Sequence, residues 1–171
     1  TTLNTKRIYR ADQVGSLLRP ERIKEARRRV ELGEITKEDL RQIENEEITR
    51  VVERQKEAGL EAVTDGEFRR AWWHFDFLEN LTGVEGYWSG DGIQFKNQQT
   101  KSRAIKVTGR LAFDDHPFIE DFKFLQKQAG DHTAKVTIPS PSMLHFRGEI
   151  DPAAYPDEAV FFKDLADAYK K

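Results

Sequence analysis

The sequence predicts an α/β fold that carries an antiparallel β excursion, and two stretches predict it. In the first, a long polar helix ends at Gly59, a residue suited to the left-handed position after a helix. The β-favouring residues Ala62, Val63 and Thr64 follow, and the chain then turns through Asp65, Gly66 and Glu67 into Arg69 and Arg70. In the second, Ile105, Val107, Gly109, Leu111 and Phe113 alternate with a period of two, the pattern of a half-buried antiparallel strand.

The remaining elements fall around these two. Residues 8 to 18 read as a short strand and loop with Val14, Gly15 and Ser16 in the middle. Pro20 suits the first turn of a helix whose apolar stripe is Ile23, Ala26 and Val30, and Gly33 ends it. Arg27, Arg28 and Arg29 then read as a solvated face. A second helix begins at Thr36, with Asp39 completing a variant capping box, and Leu40, Ile43, Ile48, Val51 and Val52 recur near its helical period. Residues 72 to 81, dense in aromatics, are expected to be helical, with Trp72, Trp73 and Phe75 in the core. Ser89, Gly90, Asp91 and Gly92 are turn chemistry, and residues 84 to 113 are read as an antiparallel hairpin insert. Pro117 opens a third helix bearing Ile119, Phe122 and Leu125, and His116 and His132 are expected at the surface or as caps. A strand is expected over 135 to 138, broken by Pro139 and Pro141, and a last helix from about Pro156 to the end.

Composition narrows the function. The 171 residues are 37% hydrophobic and 34% charged, as in a soluble protein with a well-solvated exterior, and are enough for the single domain expected over 1–171. A net charge of −2 gives a nucleic-acid partner no global electrostatic footprint. No apolar run approaches the roughly 20 residues a membrane helix needs, and residues 1 to 10 lack the apolar core of a secretory signal, so the cytoplasm is the expected compartment. Cysteine is absent, which removes disulfides, thiol nucleophiles and thiolate metal sites. Carboxyl ends of parallel strands gather ligands, so Asp65 and Glu67 read either as such a site or as an acidic turn that caps the next helix. Three strand-to-helix units cannot close a β/α barrel, which needs eight and about 250 residues; the expectation is the front of a longer fold.

Val14-Gly15-Ser16, the Asp65-Gly66-Glu67 turn with Arg70, and Pro139-Ser140-Pro141-Ser142-Met143-Leu144, in that order, resemble the cobalamin-independent methionine synthase family. The runs Trp72-Trp73-His74-Phe75 and Ser142 through Arg147 are similar to its short single-barrel members, which are related to the catalytic carboxy-terminal domain. The resemblance covers nearly the whole chain but only about the first half of such a barrel. It implies the N-terminal part of a (β/α)8 barrel and, in the complete protein, a zinc enzyme that moves a methyl group from a polyglutamylated methyl-folate to homocysteine. It further implies that Val14, Gly15, Ser16 and Glu67 bind the amino acid's backbone groups, a carboxylate facing the α-amino group and loop amides with a hydroxyl facing the carboxylate. Asp65 stands where the long synthases carry another residue, and Arg70 is expected to clamp Glu67 or Asp65. His145 lies in the segment 141 to 147, which in the long enzymes meets the pteridine ring; their stacking tryptophan is not matched. The family's zinc ligands, a His, two Cys and a Glu, lie in later strands, so no metal ligand is expected within this chain. Two other readings stay open: a transferase for another small thiol, and a non-catalytic half-barrel that forms a homodimer to cover its open edges.

Overall fold

A computed structural model describes residues 11–90, 94–95, 98–99 and 102–171. Residues 8 to 10 of the strand and loop expected over 8 to 18, and Asp91 and Gly92 of the expected turn, lie outside the described residues. The chain divides into two compact units, Thr1–Arg70 with Glu120–Thr137, and Ala71–Ile119 with Ile138–Lys171. Among the described residues no helix is long and apolar enough to cross a membrane.

In the first unit, α1 (Glu21–Glu31) and α2 (Lys37–Glu57) precede a short strand, β1 (Ala62–Val63). Thr36 and Asp39 form the expected reciprocal cap: the Thr36 hydroxyl accepts from the Asp39 amide at 3.1 Å, and the Asp39 carboxylate accepts from the Thr36 amide at 2.9 Å. Gly33 and Gly59 take positive φ where the two helices stop. β1 pairs in parallel with β6 (Thr133–Ala134), Ala62 opposite Thr133 and Val63 opposite Ala134. The core joins Ile23 of α1, Ile48 and Val52 of α2, Val63, Phe68, and Leu125 and Ala129 of α4 (Pro117–Ala129).

Two expectations change here. The strand expected over 135 to 138 pairs two residues earlier: the Lys135 amide makes the last ladder bond, to the Val63 carbonyl at 2.8 Å, and Val136 and Ile138 are left exposed. Within the arginine run, only Arg28 and Arg29 face water. Arg27 turns inward to donate to the carbonyls of Phe68 and Arg70, because that turn leaves carbonyls without helical partners.

The second unit holds α3 (Phe75–Leu78), β2 (Thr82–Ser89), the short strands β3 (Gln94–Phe95) and β4 (Gln98–Gln99), β5 (Ser102–Ala112), α5 (Pro141–Arg147), β7 (Gly148–Ile150) and α6 (Glu158–Lys170). β5 is central in the order β2-β5-β7, antiparallel to β2 and parallel to β7. Its alternation behaves as expected, with Ile105, Val107 and Leu111 buried against Leu144, Phe161 and Leu165. β7, and α5 in the proline-rich stretch, have no counterpart in the sequence expectations.

The aromatic stretch is corrected most. Only Phe75–Leu78 is helical, because the Asp76 carboxylate accepts from the amides of Ala71 and Trp72 and folds the entry into a turn. Trp72 and Trp73 are 48% and 46% exposed instead of being core residues, while Phe75 packs partly against the core. His116, expected at the surface, is only 2% exposed. Its Nδ1 accepts from the Phe118 amide, which makes it a cap of α4, its Nε2 meets the Phe77 carbonyl at 2.9 Å, and its ring stacks on Phe113 at 4.9 Å.

Candidate functional site

The first unit concentrates polar chemistry where β1 ends. Thr64 continues the strand without a ladder partner among the described residues; α2 supplies one. The buried Gln55 amide accepts from the Thr64 amide at 3.0 Å and donates to the Thr64 carbonyl at 2.8 Å, so a side chain does the work of a neighbouring strand. The Thr64 hydroxyl donates to the Gly15 carbonyl at 3.1 Å, and the Leu17 amide donates to the Gly66 carbonyl at 3.0 Å. The loop of residues 15 to 17 is thereby stitched to the turn that follows β1.

That turn is unusual. Gly66 and Glu67 both lie in the left-handed region, with φ of +70° and +58°. Gly66 adopts it freely; for Glu67 it is a sparsely populated conformation that costs free energy, and such positions cluster at binding and catalytic sites. Asp65 holds it in place by accepting the Glu67 amide on Oδ1 at 2.9 Å, an Asx turn. Arg19 supports it from below, donating through Nη2 to the carbonyls of Glu67 and Arg70.

Glu67 is 7% exposed, and its carboxylate has an asymmetric setting. Oε1 accepts from the Thr137 hydroxyl at 2.8 Å and lies 3.6 Å from Nη1 of the buried Arg70. Among the described residues the hydrogen bond to this carboxylate falls on Oε1, and none is found to Oε2. Gly15 closes the group: with φ +139°, a Cβ added there would meet the Thr137 hydroxyl at 2.6 Å and Glu67 Oε1 at 3.3 Å. Thr137 follows β6 and Glu67 follows β1, and because the two strands are parallel both groups stand at their carboxyl ends.

Of the residues expected at the site, Gly15, Asp65, Glu67 and Arg70 come together, and Arg70 pairs with Glu67. Ser16 is exposed, and the Val14 side chain is 84% exposed, beside Gly15 in the loop. His145 belongs to the second unit, where it is exposed on α5, 2.9 Å from the Glu158 carboxylate and against the Phe162 ring. Thr137, Gln55 and Arg19 were not singled out by the sequence. Thr137 lay in a presumed strand, and the other two look like ordinary solvated polar residues until their partners are known.

Burial pushes the Asp65 carboxyl above the usual carboxylate range, against the lowering pull of the Glu67 amide and of the Arg70 and Arg69 guanidiniums. The folded protein therefore holds a proton on Asp65 more tightly than the unfolded chain does. Its contribution favours folding fully below the ordinary Asp range and is lost as pH rises through the folded value. Asp65→Asn keeps the acceptor for the Glu67 amide and removes the buried charge. The stability of the Asn variant relative to wild type is thus expected to rise between about pH 3 and pH 7. Urea unfolding at a series of pH values reads this directly, and a difference that narrows with pH would mean that the guanidiniums outweigh desolvation.

The sequence profile described as "cobalamin-independent synthase, catalytic domain" matches residues 10–114, a stretch that includes Gly15, Asp65, Glu67 and Arg70. The chain belongs to the cobalamin-independent methionine synthase family. It is 60% identical over 164 residues to YxjG of Bacillus subtilis, covering 95% of this chain and 43% of that protein. A methionine synthase of Sulfolobus acidocaldarius is 30% identical over 133 residues, which is 75% of this chain and 37% of that protein. Among solved structures, a putative vitamin-B12-independent methionine synthase from Listeria monocytogenes is similar with a TM-score of 0.80 and 52% identity, over 94% of this chain and 45% of that one. The chain thus spans less than half the length of these relatives.

Zinc, which membership of this methionine synthase family implies, has no fitting cradle here. Among the described residues no group of three or more His, Cys, Asp or Glu could hold a metal ion, and the sequence has no cysteine.

Proposed function

We propose that this segment is the amino-acid-binding part of a (β/α)8-barrel methyltransferase, which transfers a methyl group from a methyl-folate to homocysteine in a protein of the length of its relatives. The observation that carries the proposal is the Glu67 carboxylate: buried, in a left-handed turn at the carboxyl end of β1, with Oε1 held by Thr137 and Oε2 without a described partner.

An ammonium is the natural partner for such an oxygen. It is a point charge with three donors, and a charge-assisted hydrogen bond in a site shielded from water is stronger than a neutral one. The Thr137 hydroxyl and the Arg70 guanidinium hold Oε1 so that the carboxylate is oriented before the ligand arrives, which lowers the entropy lost on binding. The α-carboxylate of the same amino acid falls to the loop amides of Gly15 and Ser16 and to the hydroxyl of the exposed Ser16, with Val14 beside them. The zinc that would make the thiol reactive as a thiolate is expected on ligands outside this chain. His145 is retained as a candidate contact for the methyl donor.

Glu67→Gln, made in a polypeptide of the relatives' full length, tests the reading. It keeps the shape and the Thr137 hydrogen bond and removes the charge. Homocysteine binding is expected to weaken at least about tenfold, or 1.4 kcal/mol. An unchanged dissociation constant by calorimetry removes Glu67 from the site.

A further inference from the structure

An α-amino acid is recognised at two ends, and the two ends must be a set distance apart. In this chain they come from two different pieces: the loop at Gly15 and Ser16, and the turn at Glu67. Four cross-links join the pieces. The Thr64 hydroxyl holds the Gly15 carbonyl, the Leu17 amide holds the Gly66 carbonyl, and Arg19 Nη2 holds the carbonyls of both Glu67 and Arg70. The first two end before Glu67. Among the described residues, Arg19 is the one that ties the loop to the peptide of Glu67 itself, and on the far side to Arg70, whose guanidinium flanks the Glu67 carboxylate.

The chemistry suits arginine. One terminal nitrogen carries two N–H groups, and a planar guanidinium aims them in fixed directions, so a single group bridges two carbonyls at a defined separation. The Glu67 carbonyl also accepts the Arg70 amide at 3.1 Å, and Arg19 takes its second lone pair, so the same carbonyl anchors the turn to itself and to the loop. Arg27 also reaches this turn, at Phe68 and Arg70, but it rises from the middle of α1 and joins the turn to the helix, not to the Gly15 loop.

We infer that Arg19 is a specificity-determining residue that fixes the spacing between the amine-binding and carboxylate-binding ends of the site. The inference rests on the reading of Glu67 given above. Arg19 touches no substrate; it acts through the turn and the loop and is a positioning residue. Its loss lets the turn and the loop drift relative to each other. A ligand that uses both ends suffers, and a ligand that uses one end does not.

Three thiols separate these cases: homocysteine, γ-mercaptobutyrate, which lacks the amino group, and aminopropanethiol, which lacks the carboxylate. Their dissociation constants are measured by calorimetry on the polypeptide of the relatives' full length. In Arg19→Gln the preference for homocysteine over each one-ended thiol is expected to fall about tenfold, with the affinities of the one-ended thiols unchanged. A general weakening of the fold would reduce all three affinities together, and that result, like an unchanged preference, overturns the inference. Thermal melting confirms that each variant is folded. If Arg19→Gln does not fold, Arg19→Lys is the test. It keeps the charge but lacks the rigid fork, and a fall in preference of smaller size is expected, with no fall overturning the inference. Glu67→Gln is measured alongside. If it leaves homocysteine affinity unchanged, the amine reading fails and Arg19's role with it. If it weakens homocysteine while Arg19→Gln leaves the preference intact, only the role of Arg19 fails.

Discussion

Replacing Gln55 with leucine is expected to destabilise the protein by about 3 kcal/mol. The two side chains are close in size, so packing changes little. What changes is Thr64, whose amide and carbonyl are both paired with the Gln55 amide group. Thr64 is 1% exposed, so water does not take Gln55's place there. Each stranded backbone group costs about 1–3 kcal/mol. Gln55 also donates to the Val51 carbonyl one helical turn back, a bond that a helical carbonyl can forgo cheaply because it already accepts an amide. The expected fall in melting temperature is roughly 6–12 °C for a chain of this size. A loss below about 1 kcal/mol would show that the end of β1 rearranges to find other partners.

Gly15→Ala is expected to cost about 2 kcal/mol and to damage the site as well. Two separate effects act. At φ +139° any residue with a Cβ is strained. The new Cβ would also stand 2.6 Å from the Thr137 hydroxyl, which must then move, and this hydroxyl is the one that holds Glu67 Oε1. Thr137 is β-branched and stiff, so it yields poorly. A double-mutant cycle with Thr137→Ala separates the two effects. Relief of the clash returns part of the lost stability in the double variant, and backbone strain stays. Strict additivity of the two substitutions would show that the alanine and Thr137 do not meet. Homocysteine affinity is expected to fall in both single variants, since each frees Oε1.

Much of this was legible in the sequence, and the reasons for what was not are local. The helix boundaries followed from Thr36, Asp39, Gly33 and Gly59, because caps are read by chemistry within a few residues. The alternation at Ile105, Val107 and Leu111 likewise depends only on neighbours along one strand. Gly15, Asp65, Glu67 and Arg70 were legible as an ordered set of motifs, and the structure gathers them. The partners that give Glu67 its setting were not. Thr137 lies 70 residues away in a stretch that reads as strand, and Arg19 and Gln55 carry no local mark that separates them from polar residues facing water. The aromatic run misled for the opposite reason. Its composition suggested a buried helix, while one carboxylate, Asp76, captured two amides and stopped the helix from starting earlier. His145 sits within the motif that suggested it, yet it pairs with Glu158, a residue 13 positions further along the chain.

The Gln55–Thr64 pairing also makes α2 a ruler. Connections between elements usually accept an extra residue at small free-energy cost, since loop entropy grows slowly with length. The nine-residue separation here has no such slack. One inserted residue after Gly59 would advance β1 by about 3.3 Å and turn every side chain to the opposite face. Thr64 would then lose the Gly15 carbonyl, and the turn carrying Glu67 would leave its place. Among natural variants of this chain, substitutions at residues 60 and 61 should be common and length changes there should be absent.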